Sequence, residues 1–379
     1  MEDIEKSMNQ SKEKFSMQVQ ENSPRVVNQS ENNNISNLQE EAMKKFNQSR
    51  YVSLFRQDFD MMNLEKWSEL ICQKSPKRRC YHCAFVYKEY LYIFAGMDIN
   101  EGKMNDLFKV CLNKNAEDFL KWKEVTMHNS NPPELSYLQG ALDVESGKFY
   151  CFGGENIYQR YPNELNILDL ERKSWTKKTF DESKIPGMTG HSLQYHSETH
   201  SLIIFGGFSK GVYLNQIYIY DISGNSWSVI KPDENDKKNF PCGRMLHSAI
   251  ILNDYLYIFA GKTGDGIYLN DMWRFNLFSQ IWEKIKVTGE VPKGRSGHTM
   301  TSFENYIYIF GGKVGDLQER NEFWKFDVDR NCFILIHDTM LEQHADNQND
   351  ISVQKDVSIR KIKSKYFNNL KNNIIVKNK

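Results

Sequence analysis

Short runs of aliphatic and aromatic residues recur along most of the chain, and Gly, Asn and Asp separate them. From residue 51 to residue 336 this pattern predicts short β-strands joined by turns. Residues 1–50 show no sustained period and are rich in Asn, Gln and Ser. We therefore expect a disordered arm there, since such a segment buries too little apolar surface to offset its ordering entropy.

The strands belong to one repeated unit. Aromatic residues mark the same slot in successive units: Trp67, Trp122, Trp175, Trp227, Trp282 and Phe333. A period of about fifty residues indicates one supersecondary unit per repeat, which overrides the two or three domains that chain length alone suggests. Five repeats can be delimited, at about residues 76–127, 132–180, 186–231, 241–286 and 292–336.

The fourth repeat shows the layout of the unit. Arg244 and His247 open a first strand, a turn follows at residues 253–254, and residues 255–261 form a second strand. A third strand comes after Asp271, and Trp282 begins the fourth. Four short strands per repeat predict one propeller blade per repeat. The recurring residues that we interpret as structural are Arg79, His82, Gly153, Gly154, Trp175, His191, Gly206, Gly207, Trp227, Arg244, His247, Trp282, Arg295, His298, Gly311 and Gly312.

With these motifs the sequence resembles the kelch-repeat β-propeller family over residues 60–336. The resemblance rests on Arg-x-x-His, an aliphatic strand that runs into Gly-Gly, Asn-Asp or Asn-Glu, and then Trp. The second repeat departs from it, because Leu135 and Leu138 replace the Arg and the His. The resemblance implies an all-β ring of four-stranded antiparallel blades, most often six, that serves chiefly as a protein-binding platform.

Ring closure is where the sequence departs from the expected pattern. Residues 67–70 look like the fourth strand of a blade, yet nothing after Ile336 carries the motifs of the other three strands. We expect a kelch propeller over residues 51–336 with five recognisable blades and a partial or degenerate sixth. The basic tail, residues 337–379, has apolar residues at steps of three or four after Lys355, so either an amphipathic helix or a solvated tail fits it.

The recurring Arg and His residues are not expected to be catalytic. A group that occurs once per blade is expected to hold blades together, through hydrogen bonds between adjacent sheets. The Gly-Gly pair is expected to take positive φ and to leave room for the Trp. Cys80, His82 and Cys83 are close in sequence, but on a strand Cys83 points away from the other two. We therefore expect no metal site and no cofactor.

Charge and cysteine content limit the partners and the compartment. Lys and Arg number 49, as do Asp and Glu, so no field of one sign draws the protein to nucleic acid or to an anionic membrane. No apolar segment has the length of a membrane span or the form of a signal peptide. The 7 cysteines are scattered and fit reduced thiols. These features predict an intracellular, cytoplasmic protein with one or more protein partners.

The long loops predict the binding face. In an up-and-down blade, the loops after the second and fourth strands emerge on the same side, and here these loops are the long ones. Residues on them that occupy no repeated slot are our candidates for partner binding: Tyr158, Arg160, Phe208, Lys210 and Arg320. Replacing Tyr158, Arg160 and Phe208 by Ala is expected to leave stability nearly unchanged, because none of the three fills a repeated slot.

These observations favour a non-catalytic scaffold or adaptor, of a generic or a cytoskeleton-associated kind. Two alternatives stay open: an enzyme with a site in the central channel, as in kelch-like copper oxidases and sugar epimerases, and a substrate receptor of a ubiquitin ligase. The ligase role is less favoured because neither the arm nor the tail has room for a recruitment domain. The basic tail is a candidate contact for an acidic partner.

Overall fold

The computed structural model describes residues 63–232, 239–337 and 371–375, and the elements in these ranges are β-strands. Five four-stranded sheets confirm the all-β kelch-type propeller with five blades. Blade 1 consists of β2 (Cys83–Tyr87), β3 (Tyr90–Asp98), β4 (Gly102–Cys111) and β5 (Trp122–Glu124), and blade 2 of β6 (Gln139–Asp143), β7 (Lys148–Phe152), β8 (Glu164–Asp169) and β9 (Ser174–Thr179). Blade 3 consists of β10 (Ser192–His196), β11 (Ser201–Phe205), β14 (Ile217–Asp221) and β15 (Ser226–Ile230), and blade 4 of β16 (Ser248–Leu252), β17 (Tyr255–Lys262), β18 (Tyr268–Asn276) and β19 (Trp282–Lys284). Blade 5 consists of β20 (Thr299–Phe303), β21 (Tyr306–Phe310), β24 (Phe323–Asp327) and β25 (Cys332–His337).

Three two-stranded sheets complete the described strands. They pair β12 (Phe208–Ser209) with β13 (Val212–Tyr213), β22 (Lys313–Gly315) with β23 (Gln318–Glu319), and β1 (Asn63–Glu69) with β26 (Lys371–Ile375). Within each blade the four strands pair antiparallel in chain order. The first strands of consecutive blades contact each other, so they form the inner wall, and the clusters of buried apolar side chains lie between neighbouring blades.

Backbone hydrogen bonds join each blade to the next. The N–H of the second residue in the Gly-Gly slot donates to the carbonyl of the residue in the Arg slot of the following blade, at 2.8–3.0 Å. This bond occurs at all four junctions between described blades: Gly96 to Leu135, Gly154 to Met188, Gly207 to Arg244 and Gly261 to Arg295. The donor is Gly in every blade, with φ between +90° and +102°, a region that side-chain-bearing residues avoid.

A second series of backbone bonds runs around the inner wall. Two positions after the Arg slot, each blade has a residue with φ between +55° and +66°. Its N–H donates to the carbonyl of the equivalent residue in the preceding blade, at 2.7–3.3 Å. The series runs through Tyr81, Tyr137, Gly190, Leu246 and Gly297. Three of these five are not glycine, so the junction stabilises a backbone conformation that such residues rarely adopt.

Aromatic side chains fill the same junctions. The ring of Phe205 in blade 3 lies 5.0 Å from that of Trp282 and 5.2 Å from that of His247, both of blade 4. His247 Nε2 is also 2.9 Å from the hydroxyl of Ser192 in blade 3. The Trp therefore packs on the phenylalanine of the preceding blade. The space beside the Gly-Gly pair is instead taken by backbone and His side chain, such as Arg244 O and His247 near Gly206.

The arginines act within a blade, which corrects the expectation that they bond adjacent sheets. Arg244 donates to both carboxylate oxygens of Asp271 in its own blade, at 2.6 and 2.9 Å, and to the carbonyl of Ala260 at 2.9 Å. Arg79 with Asp106 and Arg295 with Glu322 form the equivalent ion pairs. Each arginine thus ties the start of the first strand to the second and third strands. Among the buried recurring histidines of the described residues, His247 makes the expected bond to the neighbouring blade, whereas the ring nitrogens of His191 and His298 have no hydrogen-bond partner.

The position between blade 5 and blade 1 lacks a sixth four-stranded sheet in the described part of the chain. Strand β1 contacts β25 of blade 5, and Gln73, which follows β1, pairs with Lys121 beside the outer strand of blade 1. The two series of backbone bonds that join the other blades are not continued here: within the described ranges, no such bond is made by Gly312 N, Gly297 O or Tyr81 N. His82 is exposed, whereas the equivalent His191, His247 and His298 are buried.

The small β1–β26 sheet changes two expectations about the chain ends. Its strands are parallel, whereas a regular blade would pair them antiparallel. Residues 371–375 of the basic tail form a strand and not part of a helix. Residues 1–50, where we expect disorder, and residues 338–370 and 376–379 of the tail lie outside the described residues.

The first and second positions of the Gly-Gly pair should differ in how well they tolerate a side chain. Gly207→Ala should lower the free energy of unfolding by at least about 2 kcal/mol, because its φ is unsuited to alanine and a Cβ would lie 2.8 Å from that of His191. Gly206→Ala should cost less, although a Cβ there would lie 2.8 Å from Arg244 O, because Ala95 and Ala260 occupy its slot in blades 1 and 4 with φ of 59°. Urea unfolding measures both, and the reverse order would contradict the junction described above.

The buried histidines predict loss of stability in acid. Burial lowers the pKa of His191 to about 3 and that of His298 to about 3, from about 6.5 in an unfolded chain. The unfolded state therefore binds more protons below pH 6.5, and each histidine should remove about 1.4 kcal/mol per pH unit between pH 6.5 and pH 3.

The measurement compares urea unfolding at pH 7.5 and pH 5.5. His191→Gln should lose less stability between these two pH values than the wild type does, whatever its stability at pH 7.5. His128→Gln is the control, because His128 is exposed. An unchanged pH dependence in His191→Gln would show that the buried imidazole does not carry the effect.

Candidate binding surface

The connections between the second and third strands form one face of the propeller, which we call the long-loop face. They comprise residues 97–103, 155–161, 208–213, 262–267 and 313–320. The antiparallel strand order places them on the same side as the connections that lead from one blade to the next. The short turns between the first and second strands lie on the opposite side, which we call the turn face.

Most of these loops are β-hairpins. In blades 1 and 4 the second and third strands continue beyond a bulge, so that Asp98 pairs with Gly102 and Lys262 with Tyr268. Blades 3 and 5 have separate hairpins, β12–β13 and β22–β23. In blade 2 the side-chain oxygen of Asn156 instead accepts the N–H groups of two later loop residues, at 3.0 Å each. Ordered loops bind at a lower entropic cost than flexible ones.

The base of every loop is fixed to the inner wall. The residue that follows the Gly-Gly slot pairs with the residue that follows the Arg slot in the same blade. These bridges are Met97 with Cys80, Glu155 with Ser136, Phe208 with Thr189, Lys262 with Met245 and Lys313 with Ser296. The five loops are therefore carried by the same backbone that forms the blade junctions.

An exposed aliphatic side chain lies on the loop of every blade. These apolar tips are Ile99, Ile157, Val212, Ile267 and Leu317, with exposed fractions between 55% and 99%. Tyr158 adds an aromatic ring beside Ile157 in blade 2, 74% exposed. Large exposed apolar groups that share one face are characteristic of interaction surfaces. The sequence-based selection missed the tips because it favoured aromatic and basic loop residues, although an aliphatic residue in every polar loop was a visible signal.

The charges near the tips are largely paired. Lys103 Nζ of blade 1 donates to Glu155 Oε1 of blade 2 at 2.8 Å and to two carbonyls of the same loop. Asp316 of blade 5 accepts from Lys262 at 2.9 Å and from Tyr268 at 2.8 Å, both of blade 4. These two hydrogen bonds lower the pKa of Asp316. The pairs link neighbouring loops and leave the aliphatic tips as the prominent exposed groups.

The five residues predicted for partner binding fall into two groups. Tyr158 and Arg160 are exposed on the loop of blade 2, and Lys210 is exposed while paired with Glu182. Phe208 and Arg320 are only partly exposed and take part in the fold. Phe208 packs edge-on against Tyr161 and Tyr213, with ring centres at 6.0 and 5.1 Å, and Arg320 lies 4.0 Å from Glu322. The expectation that Phe208 has no structural part does not match these contacts.

The cysteines near His82 do not converge. Cys83 is buried, and its thiol lies 3.6 Å from the carbonyl of Leu138. Burial raises the pKa of this thiol to about 12. Cys80 is exposed and lies 3.5 Å from the carbonyl of Met97. The two thiols thus face different surroundings. Cys80 precedes β2 and Tyr81 between them has a φ of 57°, so the separation comes from this bend and not from side-chain alternation along a strand.

Comparison with known families agrees with this architecture. Residues 44–268 match the attractin/LZTR1 β-propeller domain, and residues 235–347 match the kelch-repeats domain of KLHDC2, KLHL20 and DRC7. The protein belongs to the kelch-repeat β-propeller family. In this kelch protein, no helix of the described ranges is long and apolar enough to cross a lipid bilayer.

Individual relatives share this part of the chain. The leucine-zipper-like transcriptional regulator 1 homolog of Drosophila melanogaster is 28% identical over 234 residues, 60% of this chain and 22% of its own. The host cell factor homolog hcf-1 of Caenorhabditis elegans is 26% identical over 313 residues, 74% of this chain and 38% of its own. Human Kelch domain-containing protein 10 is 29% identical over 228 residues, which are 59% of this chain and 50% of its own. The kelch protein therefore spans half or less of the length of these relatives.

The contacts of Phe208 predict that two loop aromatics differ in their effect on stability. Phe208→Ala should lower the free energy of unfolding by about 1–3 kcal/mol, because it removes two edge-on aromatic contacts and partly buried surface. Tyr158→Ala should change it by no more than about 0.5 kcal/mol, as for a surface residue. Urea unfolding of both variants measures this difference. Equal losses in the free energy of unfolding would show that the aromatic contacts of Phe208 add no stability.

Proposed function

We propose that this kelch protein is a non-catalytic, intracellular interaction module that binds a protein partner on its long-loop face. The observation that carries the proposal is the set of apolar tips, one on each of five fixed loops. A single exposed aliphatic residue needs no explanation, because such residues are common on protein surfaces. An exposed aliphatic residue on the corresponding loop of every blade is a stronger signal, because exposed side chains contribute little to folding.

The chemistry of the tips indicates the kind of partner. Aliphatic side chains gain free energy when a partner removes them from water, at about 25 cal/mol per Å² of apolar surface. The neighbouring lysines and carboxylates already pair with one another, so they offer little net charge for steering. This combination favours a protein surface with apolar side chains over nucleic acid, which is bound mainly through unpaired basic groups.

The finer form of this proposal is a cytoplasmic scaffold or adaptor, either generic or associated with the cytoskeleton. Support comes from the kelch-repeat relatives and from the rigid loops described above. Recruitment of a client to a ubiquitin ligase is a second form that would use the same face. An acidic partner of the basic tail, residues 337–379, belongs to the proposal as a separate contact.

The proposal is tested by comparing matched apolar substitutions on the two faces. The double variant Ile157→Ser, Ile267→Ser removes two tips, and Ile281→Ser removes an aliphatic residue of similar exposure, 65%, at the turn between β18 and β19. None of the three should change stability by more than about 0.5 kcal/mol, because all are exposed. Quantitative affinity purification from cells with the wild type identifies bound proteins, and recovery of the same proteins should fall with the double variant and not with Ile281→Ser.

Titration of a purified partner found in this way gives the expected magnitude. The double variant should bind at least about tenfold more weakly, because truncating an interface anchor usually costs 1–2 kcal/mol or more. Ile281→Ser should bind as the wild type does. If the double variant retains full affinity while Ile281→Ser loses it, the partner sits on the turn face and the proposal is wrong.

A further inference from the structure

Three potential metal ligands converge on the turn face, away from the apolar tips. His196 ends β10 of blade 3, Glu198 lies in the turn that follows, and Asp254 lies in the equivalent turn of blade 4. One ligand atom from each residue lies within 4.8 Å of the other two. The cluster thus combines one imidazole and two carboxylates from two adjacent blades.

His196 is held in place by its surroundings. It is 4% exposed, and its Nδ1 is 2.8 Å from the hydroxyl of Thr199 in the same turn. Its ring is edge-on to that of Phe278, with centres 6.1 Å apart. A polar partner at one ring nitrogen fixes the orientation of a metal-binding histidine. The two carboxylates are exposed, so the site combines one buried, oriented ligand with two exposed ones.

The fold does not require a histidine at this position. The equivalent last residue of the first strand is Tyr87, Asp143, Leu252 and Phe303 in the other four blades. In three of those four the residue is large and mainly apolar, which suits a position at the edge of the core. His196 therefore differs from the repeated histidines His191, His247 and His298, which occupy one slot in the blade junctions. Its presence beside two carboxylates points to a local role.

We propose that His196, Glu198 and Asp254 bind a divalent transition-metal ion of the zinc class. One nitrogen and two carboxylate oxygens form the kind of three-ligand set that zinc accepts, with water in the fourth position. The imidazole favours Zn²⁺ over Mg²⁺ and Ca²⁺, which take oxygen ligands. Bound there, the ion links the turns of blades 3 and 4. This inference does not depend on the partner-binding function of the opposite face.

The test is calorimetric titration of the chelator-treated, full-length protein with Zn²⁺ and, separately, with Mg²⁺. We expect one equivalent of Zn²⁺ to bind much more tightly than Mg²⁺ does. His196→Gln and Asp254→Asn should each weaken Zn²⁺ binding at least about tenfold, because each removes one ligand of a three-ligand set. Asp254 is exposed, so the second variant stays informative if the buried substitution at His196 disturbs folding.

The matched control is His200→Gln. His200 lies in the same turn, but its Nδ1 is 2.9 Å from the hydroxyl of Tyr195, and it is outside the cluster. Its replacement should leave Zn²⁺ affinity unchanged. Substituting Co²⁺ should give the visible spectrum of a nitrogen- and oxygen-ligated ion without thiolate bands. Zn²⁺ binding that persists in both His196→Gln and Asp254→Asn, or that shows thiolate bands with Co²⁺, would overturn the proposal.

Discussion

Backbone hydrogen bonds between neighbouring blades are the interaction on which the rest of the structure depends. A four-stranded blade exposes apolar side chains on both faces, so it is stable only when neighbours cover them. Two backbone bonds fix the distance and the angle between neighbouring blades. One comes from the N–H of the second glycine, and the other comes from the N–H of the inner-wall residue that has a positive φ. The phenylalanine, tryptophan and histidine side chains then fill the space that this spacing creates.

The same bonds determine the geometry of the long-loop face. Each loop begins at the residue after the glycine pair, and that residue is bridged to the residue after the Arg slot of the same blade, so the base of the loop is fixed beside the blade junction. The loops can therefore present aliphatic side chains to solvent without collapsing onto the propeller. Ion pairs such as Lys103 with Glu155 add links between neighbouring loops. An ordered surface of this kind gives up little entropy on binding.

Sequence periodicity predicted the blades well, because strands, turns and the Gly-Gly slot all recur at one spacing. In the fourth repeat the predicted turn and the start of the second strand, Tyr255, match the structure. Periodicity does not show which neighbour a recurring residue contacts. The prediction that Arg244 bonds to an adjacent blade was therefore wrong, because its partner Asp271 lies in the same blade. Periodicity also could not place together residues from different repeats. The contact of Phe208 with Tyr161, and the approach of His196 to within 4.8 Å of Asp254, arise only when adjacent blades pack.

The central claim is that the long-loop face, through its apolar tips, is where the protein meets its partner. Hydrogen–deuterium exchange of the protein, with and without a purified partner, tests this most directly because it reads every loop in one experiment. The account predicts slower amide exchange in the loops that carry Ile99, Ile157, Val212, Ile267 and Leu317, and unchanged exchange in the turns between first and second strands. Protection confined to those turns, with unchanged exchange in the tip-bearing loops, would contradict it.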